Sequence, residues 1–171
     1  MPAQEKASLT ALSPTTRVHE IYIKATPEMI WDAVTNPEWT AKYSYRTRAE
    51  YDLKPGGAFR HKANDQMIAM GLPETCIDGE VVEARPPFKL VQTFRFLFRP
   101  EDKAEGFTRV TWEIEQTPGG FCRLTVTHEL DGKPRITAAT QSKFDMQGGG
   151  GWNWILSDLK SLLETGKTLS G

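Results

Sequence analysis

Cysteine is scarce in this sequence of 171 residues: Cys76 and Cys122 are the two it has, and no CxxC pair occurs. A disulfide framework or a cysteine-built zinc site is not expected, and the simple reading is two reduced, unbridged thiols in a cytoplasmic protein. Histidine is scarce too. His19, His61 and His128 each lack a second His or Cys at ligand spacing, so no metal and no other cofactor is expected. Neither sign of charge is in excess, with 21 basic against 22 acidic residues. That leaves no electrostatic footprint for nucleic acid and no polybasic patch for a membrane surface. No apolar run approaches the roughly 20 residues of a membrane span. The opening MPAQEKASLTALSPTT lacks the basic start and apolar block of a signal peptide. There is no GxSxG and no Cys–His signature for nucleophilic catalysis. Gly148 to Gly151 lacks the GKS or GKT ending of a phosphate loop and reads as bare, flexible backbone.

What is present is one strong helix and a series of alternating strands. In GGGGWNWILSDLKSLL, Trp152, Ile155, Leu156, Leu159, Leu162 and Leu163 recur at a 3.6-residue period and form one apolar stripe. Asp158, Lys160 and Ser161 fall off that stripe, as does Trp154, and Gly166 is a plausible stop. The helix could begin as early as Ser142. Each glycine in the run at 148–151 costs a helix roughly 1 kcal/mol relative to alanine, which makes a kink or a late start plausible there.

Upstream, Arg17 to Ile23 alternates as a strand. Thr26, Pro27 and Glu28 are an N-cap, a first helical residue and a first-turn acid, and Ile30, Trp31 and Val34 share one helical face. Asn36-Pro37 breaks that helix, and a second short one carries Trp39 and Tyr43. Arg46–Leu53, Ala58–Lys62, Cys76–Ala84, Phe88–Arg99, Phe107–Gln116 and Phe121–Leu130 read as strands separated by Gly- and Pro-rich turns. Asn64 to Thr75 is open between a strand and a flexible apolar loop over a pocket. The last two strands alternate apolar and polar residues, as an antiparallel sheet with one wet face does. Strand, two helices, about six strands and a long helix pack most economically as a curved antiparallel sheet around the C-terminal helix. The expected division is a flexible lead-in over 1–16, a single α+β domain over 17–166 and a flexible tail over 167–171.

These elements resemble the helix-grip fold of the START-like (SRPBCC, birch-pollen-allergen-like) superfamily. Within it, the chain is similar to the group of activators of heat-shock chaperone ATPase. The matching pieces are ATPEMIWDAVTNPEW at Ala25–Trp39, DLKPGGAFR at Asp52–Arg60, GEVVEARPPFKLVQTF at Gly79–Phe94, RVTWEIE at Arg109–Glu115, CRLTVTHEL at Cys122–Leu130 and GWNWILSDLKSLLE at Gly151–Glu164. The resemblance implies a cavity between sheet and helix, often able to hold an apolar small molecule. It does not imply one activity, because such proteins include lipid carriers, cyclases and a chaperone co-factor domain.

Three functions follow as expectations. The first is binding of a small apolar or amphipathic molecule in the cavity. The second is action as a co-chaperone on a heat-shock chaperone. The third is an enzyme of cyclase or hydrolase type using the same cavity, with His128 and an acidic neighbour as acid and base. For the first, Gln92, Phe94, Trp112, Leu124, Val126 and His128 on the sheet are expected to face Trp152, Ile155 and Leu156 on the helix. His128 is the interesting polar residue. It either orients a ligand or acts as a base, or it is a hydrogen-bonded histidine at the sheet rim, which is the preferred reading. Gln92 and Glu83 each either face the pocket or flank it. Gln66–Leu72 and Gly148–Gly151 are expected to be mobile and to border the entrance.

Overall fold

The structure is a computed structural model and describes residues 16–143 and 150–171. The expected lead-in, apart from Thr16, and Gly148 and Gly149 lie outside these residues. The described residues form seven strands, β1 (Thr16–Ile23), β2 (Arg48–Tyr51), β3 (Ala58–Lys62), β4 (Thr75–Arg85), β5 (Lys89–Phe96), β6 (Thr108–Gln116) and β7 (Cys122–Glu129). Six helices accompany them: α1 (Pro27–Thr35), α2 (Pro37–Thr40), α3 (Asp65–Ala69), α4 (Pro100–Glu105), α5 (Pro134–Ala139) and α6 (Gly151–Thr165). The strands make one sheet in the order β1-β7-β6-β5-β4-β3-β2, antiparallel at every pairing.

The alternation read from the sequence sets the faces. Thr108, Val110, Trp112 and Ile114 of β6 are buried, and so are Cys122, Leu124, Val126 and His128 of β7. Intervening residues such as Arg109 and Glu113 are exposed. Irregularities in the pairing at His61/Lys62 and Val81/Glu83 fall on the β3–β4 and β4–β5 seams. Such bulges increase twist and bend the sheet locally. Gly79 sits between them, where a Cβ would lie 2.0 Å from the Thr93 carbonyl oxygen, so only glycine permits the two strands to approach.

The helix ends follow the sequence closely in two cases. The Thr26 side chain caps α1 by accepting from Met29 N–H at 3.2 Å. Gly166, at φ 78, ends α6, and its N–H reaches the Leu162 carbonyl at 2.9 Å. The late start of α6 was also foreseeable. Gly150 and Gly151 both have φ 66, and a Cβ at Gly151 would stand 2.4 Å from the Thr140 carbonyl oxygen. Gly151 therefore admits the close passage of residue 140 at the point where the helix begins.

Other elements differ from expectation. Asn64–Thr75 is neither a strand nor a plain loop: Asn64 accepts from Met67 N–H at 2.8 Å and caps α3. Pro100–Gly106 is not only a turn, because Pro100 opens α4. Asp158, off the apolar stripe, is nonetheless 1% exposed. Its carboxylate accepts from Ser44 N–H and from Leu169 N–H, each at 2.7 Å. The chain after Gly166 thus turns back onto α6. The core is closed by Trp152, Leu156 and Leu159 of α6 over Leu124, Val126 and Ile23, with Trp31 and Val34 of α1.

Candidate functional site

The seven-stranded sheet curves, and α6 packs onto β1 and α1 at one side of it. A gap of about 860 Å³ remains over the other half of the sheet. Its floor is β2–β5, its roof the first turns of α6, and its sides the 40–47 loop, α3, α4 and α5. Apolar walls come from Ile77, Phe94, Phe96, Phe98, Trp112 and Ile155, with Met67 of α3 at the edge. Among the described residues no helix is long and apolar enough to cross a membrane.

Five of the nine expected ligand-facing residues line this space: Gln92, Phe94, Trp112, Trp152 and Ile155. The other four do not. Leu124, Val126 and His128 are 0% exposed and Leu156 is 1% exposed. They lie where α6 is pressed onto the β1–β7 side, so the same sheet face that is open at β5 is filled at β7. Glu83 is turned away from the cavity into ion pairs with Arg85 and Lys89. Of the two segments expected at the entrance, α3 contributes Met67 and the glycine run contributes Gly151.

His128 is fully engaged. Trp152 Nε1–H donates to its Nδ1 at 3.1 Å, which leaves the ring proton on Nε2 to donate to Thr108 Oγ1 at 2.8 Å. Thr108 then donates to the Phe94 carbonyl at 2.8 Å. Phe94 and Trp152 also meet the imidazole nearly at right angles, at centroid distances of 5.5 and 5.8 Å. Burial, reinforced by Arg17 and His19, pushes the ring's pKa down to about 3. It is a neutral link tying the helix start to two strands. Neither nitrogen is free to serve as a base.

The polar groups that do face the cavity come from β2, β3 and β5. Tyr51 O–H donates to Gln92 Oε1 at 2.7 Å, and burial raises the phenol's pKa. Thr47 Oγ1 and His61 Nδ1 are 2.6 Å apart. The His61 ring is enclosed by protein, and burial pushes its pKa down to about 4. The residue is part-exposed and lines the cavity, and with so low a pKa its ring is neutral at pH 7. The Cys76 thiol also borders the space and donates weakly to the His61 carbonyl at 3.4 Å, and burial pushes its pKa up to about 11. Cys76 and Cys122 are both free. Toward the mouth lie Arg99 and Lys143, together with Arg135, which is bonded to Asp102 at 2.9 Å.

Sequence reasoning missed Tyr51, Thr47 and His61. A signal existed: Phe59 and His61 are two apart in one strand, so a buried Phe59 places His61 on the same inner face. Among the described residues no group of three or more His, Cys, Asp and Glu could hold a metal ion. What the arrangement offers is enclosure, apolar contact and a few neutral hydrogen-bonding groups.

A curved antiparallel sheet gripping a C-terminal helix defines the START-like helix-grip class of α+β proteins. Within it, the family described as "Activator of Hsp90 ATPase homolog 1-like protein" matches residues 24–164, and the chain belongs to that family. No curated protein matches the sequence significantly. Among solved structures, the fold is shared with protein MLL2253 from Mesorhizobium loti, with TM-score 0.64, 21% identity and coverage of 86% of this chain and 96% of that one. It is shared with the Aha1 dimer from Colwellia psychrerythraea, with TM-score 0.59 and 18% identity over 89% of this chain and 98% of that one. DynU16, a putative protein in the dynemicin biosynthetic locus, gives TM-score 0.62 and 20% identity over 90% of this chain. The chain spans 49% of DynU16. At these identities the likeness is one of fold.

Proposed function

We propose that this protein binds a small apolar or amphipathic molecule in the cavity between the sheet and α6. The observation that carries the reading is the 860 Å³ space itself, walled by aromatic and aliphatic side chains in an otherwise filled core. Its volume lies in the usual range for small-molecule sites, about 300–1,000 Å³. Apolar walls favour an apolar body by roughly 25 cal/mol for each Å² removed from water. Gln92, Phe94, Trp112, Trp152 and Ile155 are the residues of the expected set that would contact it. The test is binding of the neutral dye Nile red, followed by its fluorescence. Wild-type protein should bind with micromolar affinity. Ile155→Trp should fill the space beneath α6 and abolish binding while the melting temperature holds. Equal binding by both proteins would overturn the reading.

Action on a heat-shock chaperone is a second reading, favoured by the family match over residues 24–164. It would run through the protein's outer surface, so Ile155→Trp should leave a chaperone pull-down unchanged. An enzyme with His128 as its base has no support, since both ring nitrogens are already bonded within the core.

A further inference from the structure

Two hydrogen-bonded pairs on the cavity wall each end in a nitrogen with nothing to bond. Tyr51 O–H is committed to Gln92 Oε1, which turns the carboxamide so that its two N–H donors point elsewhere. The Gln92 side chain makes no other hydrogen bond among the described residues. It is 1% exposed, yet Gln92 is part of the cavity wall, and its amide nitrogen is not among the fully sealed, unpartnered atoms. The amide nitrogen is therefore not wholly sealed, and the cavity is the open space that Gln92 borders. Thr47 holds His61 in the same way through Nδ1, and His61 Nε2 has no partner among the described residues. The two pairs flank one ring. Tyr51 stacks on Phe59 at 4.7 Å, and His61 stands edge-on to it at 5.3 Å.

Donors of this kind are costly to cover with a ligand that offers them no acceptor. Their common property is neutrality. Tyr51, Gln92 and Thr47 carry no charge, and burial keeps His61 neutral at pH 7. The charged residues bordering the cavity, Arg99, Asp102, Arg135 and Lys143, all belong to the α4 and α5 side or adjoin it. A carboxylate placed against Gln92 would be buried with no cation to meet it, which disfavours it. A carbonyl oxygen would be buried with a donor already oriented toward it.

We propose that the cavity is a site for an uncharged amphiphile with an apolar ring body and a carbonyl group, whose oxygen accepts from the Gln92 carboxamide, with His61 as the second hydrogen-bonding nitrogen on that wall. This rests on the small-molecule reading above and adds the chemical class. Tyr51 and Thr47 are then positioning residues that fix the amide and the imidazole before the ligand arrives.

Three matched naphthalenes test it: the ketone 6-propionyl-2-dimethylaminonaphthalene, its parent 2-dimethylaminonaphthalene, and the acid 6-dimethylamino-2-naphthoate. All are titrated into the full chain at neutral pH and read by fluorescence. The ketone should bind about tenfold tighter than the parent, the effect of one hydrogen bond to an oriented buried donor. The acid should bind no better than the parent. Gln92→Met should remove the ketone's advantage over the parent and shift the bound ketone's emission to shorter wavelength. Tyr51→Phe, which frees the amide to rotate, should reduce the advantage in part and serves if Gln92→Met does not fold. A parent that binds with no ketone advantage, an advantage that survives both substitutions, or tightest binding by the acid would overturn this proposal alone. Failure of all three probes to bind would overturn the small-molecule reading, and this proposal with it.

Discussion

His128 gives a prediction whose size can be worked from its surroundings. The ring is 0% exposed and held neutral, with its pKa pushed down to about 3 from the ordinary 6.5. In the unfolded chain the imidazole gains a proton as the pH falls through 6.5. In the folded protein it does not until near pH 3. Between those values the unfolded state binds more protons, so stability is fully present above pH 6.5 and is lost as the solution is acidified. Each pH unit in that window costs about 1.4 kcal/mol, so His128 alone removes about 3 kcal/mol by pH 4.5. That is a large part of the roughly 5–15 kcal/mol by which domains are stable. Carboxylates and His61 also contribute to acid sensitivity, so the informative quantity is a difference. His128→Gln keeps an acceptor for Trp152 and a donor for Thr108 but cannot titrate. The variant should be less stable than wild type by about 1–2 kcal/mol at pH 7, from imperfect hydrogen-bond geometry. By pH 4.5 that order should reverse, as the wild type loses its extra increment. Urea denaturation followed by tryptophan fluorescence across this range measures both curves. Parallel pH dependences for the two proteins would refute the account of His128 as a neutral, buried link.

Other substitutions separate packing from backbone effects. Leu159→Ala, at a fully buried site on α6, should cost about 2–5 kcal/mol in chemical denaturation. Lys160→Ala removes an exposed bond to the Tyr22 carbonyl and an ion pair with Glu164, and should cost about 1 kcal/mol or less. Gly151→Ala forces a Cβ toward the Thr140 carbonyl at positive φ and should destabilise by about 1–3 kcal/mol, read as a lowered melting temperature. Cys76 and Cys122 are buried, so a colorimetric thiol reagent should react slowly with native protein and promptly with both thiols in denaturant.

Strand faces were legible because they depend on local alternation. The buried series Val110, Trp112 and Ile114 in β6 stands as the pattern implied, and so does the Thr26 cap of α1. Alternation assigns a residue to one side of a sheet. It does not say which part of that side a helix will cover. Leu124, Val126 and His128 share their face with Trp112, yet α6 seals them while Trp112 borders the cavity. The direction in which α6 leans is a tertiary choice, set by packing against β1 and α1. Asp158 illustrates the same limit. Its place off the apolar stripe gives no sign of burial, but two backbone N–H groups, of Ser44 and Leu169, satisfy the carboxylate in the interior. The cap of α3 was readable in principle from Asn64-Asp65, an N-cap residue followed by a first-turn acid.

That Asp158 carboxylate also wires two remote parts of the chain together. Ser44 is 114 positions away and belongs to the loop that walls the cavity, while Leu169 is 11 positions away near the last residue. Both are held by one buried side chain on α6. If an occupant of the cavity stiffened the wall at Tyr43–Tyr45 through this carboxylate, the closing turn at residues 167–169 would feel it, and by linkage a change at the turn would be felt equally at the wall.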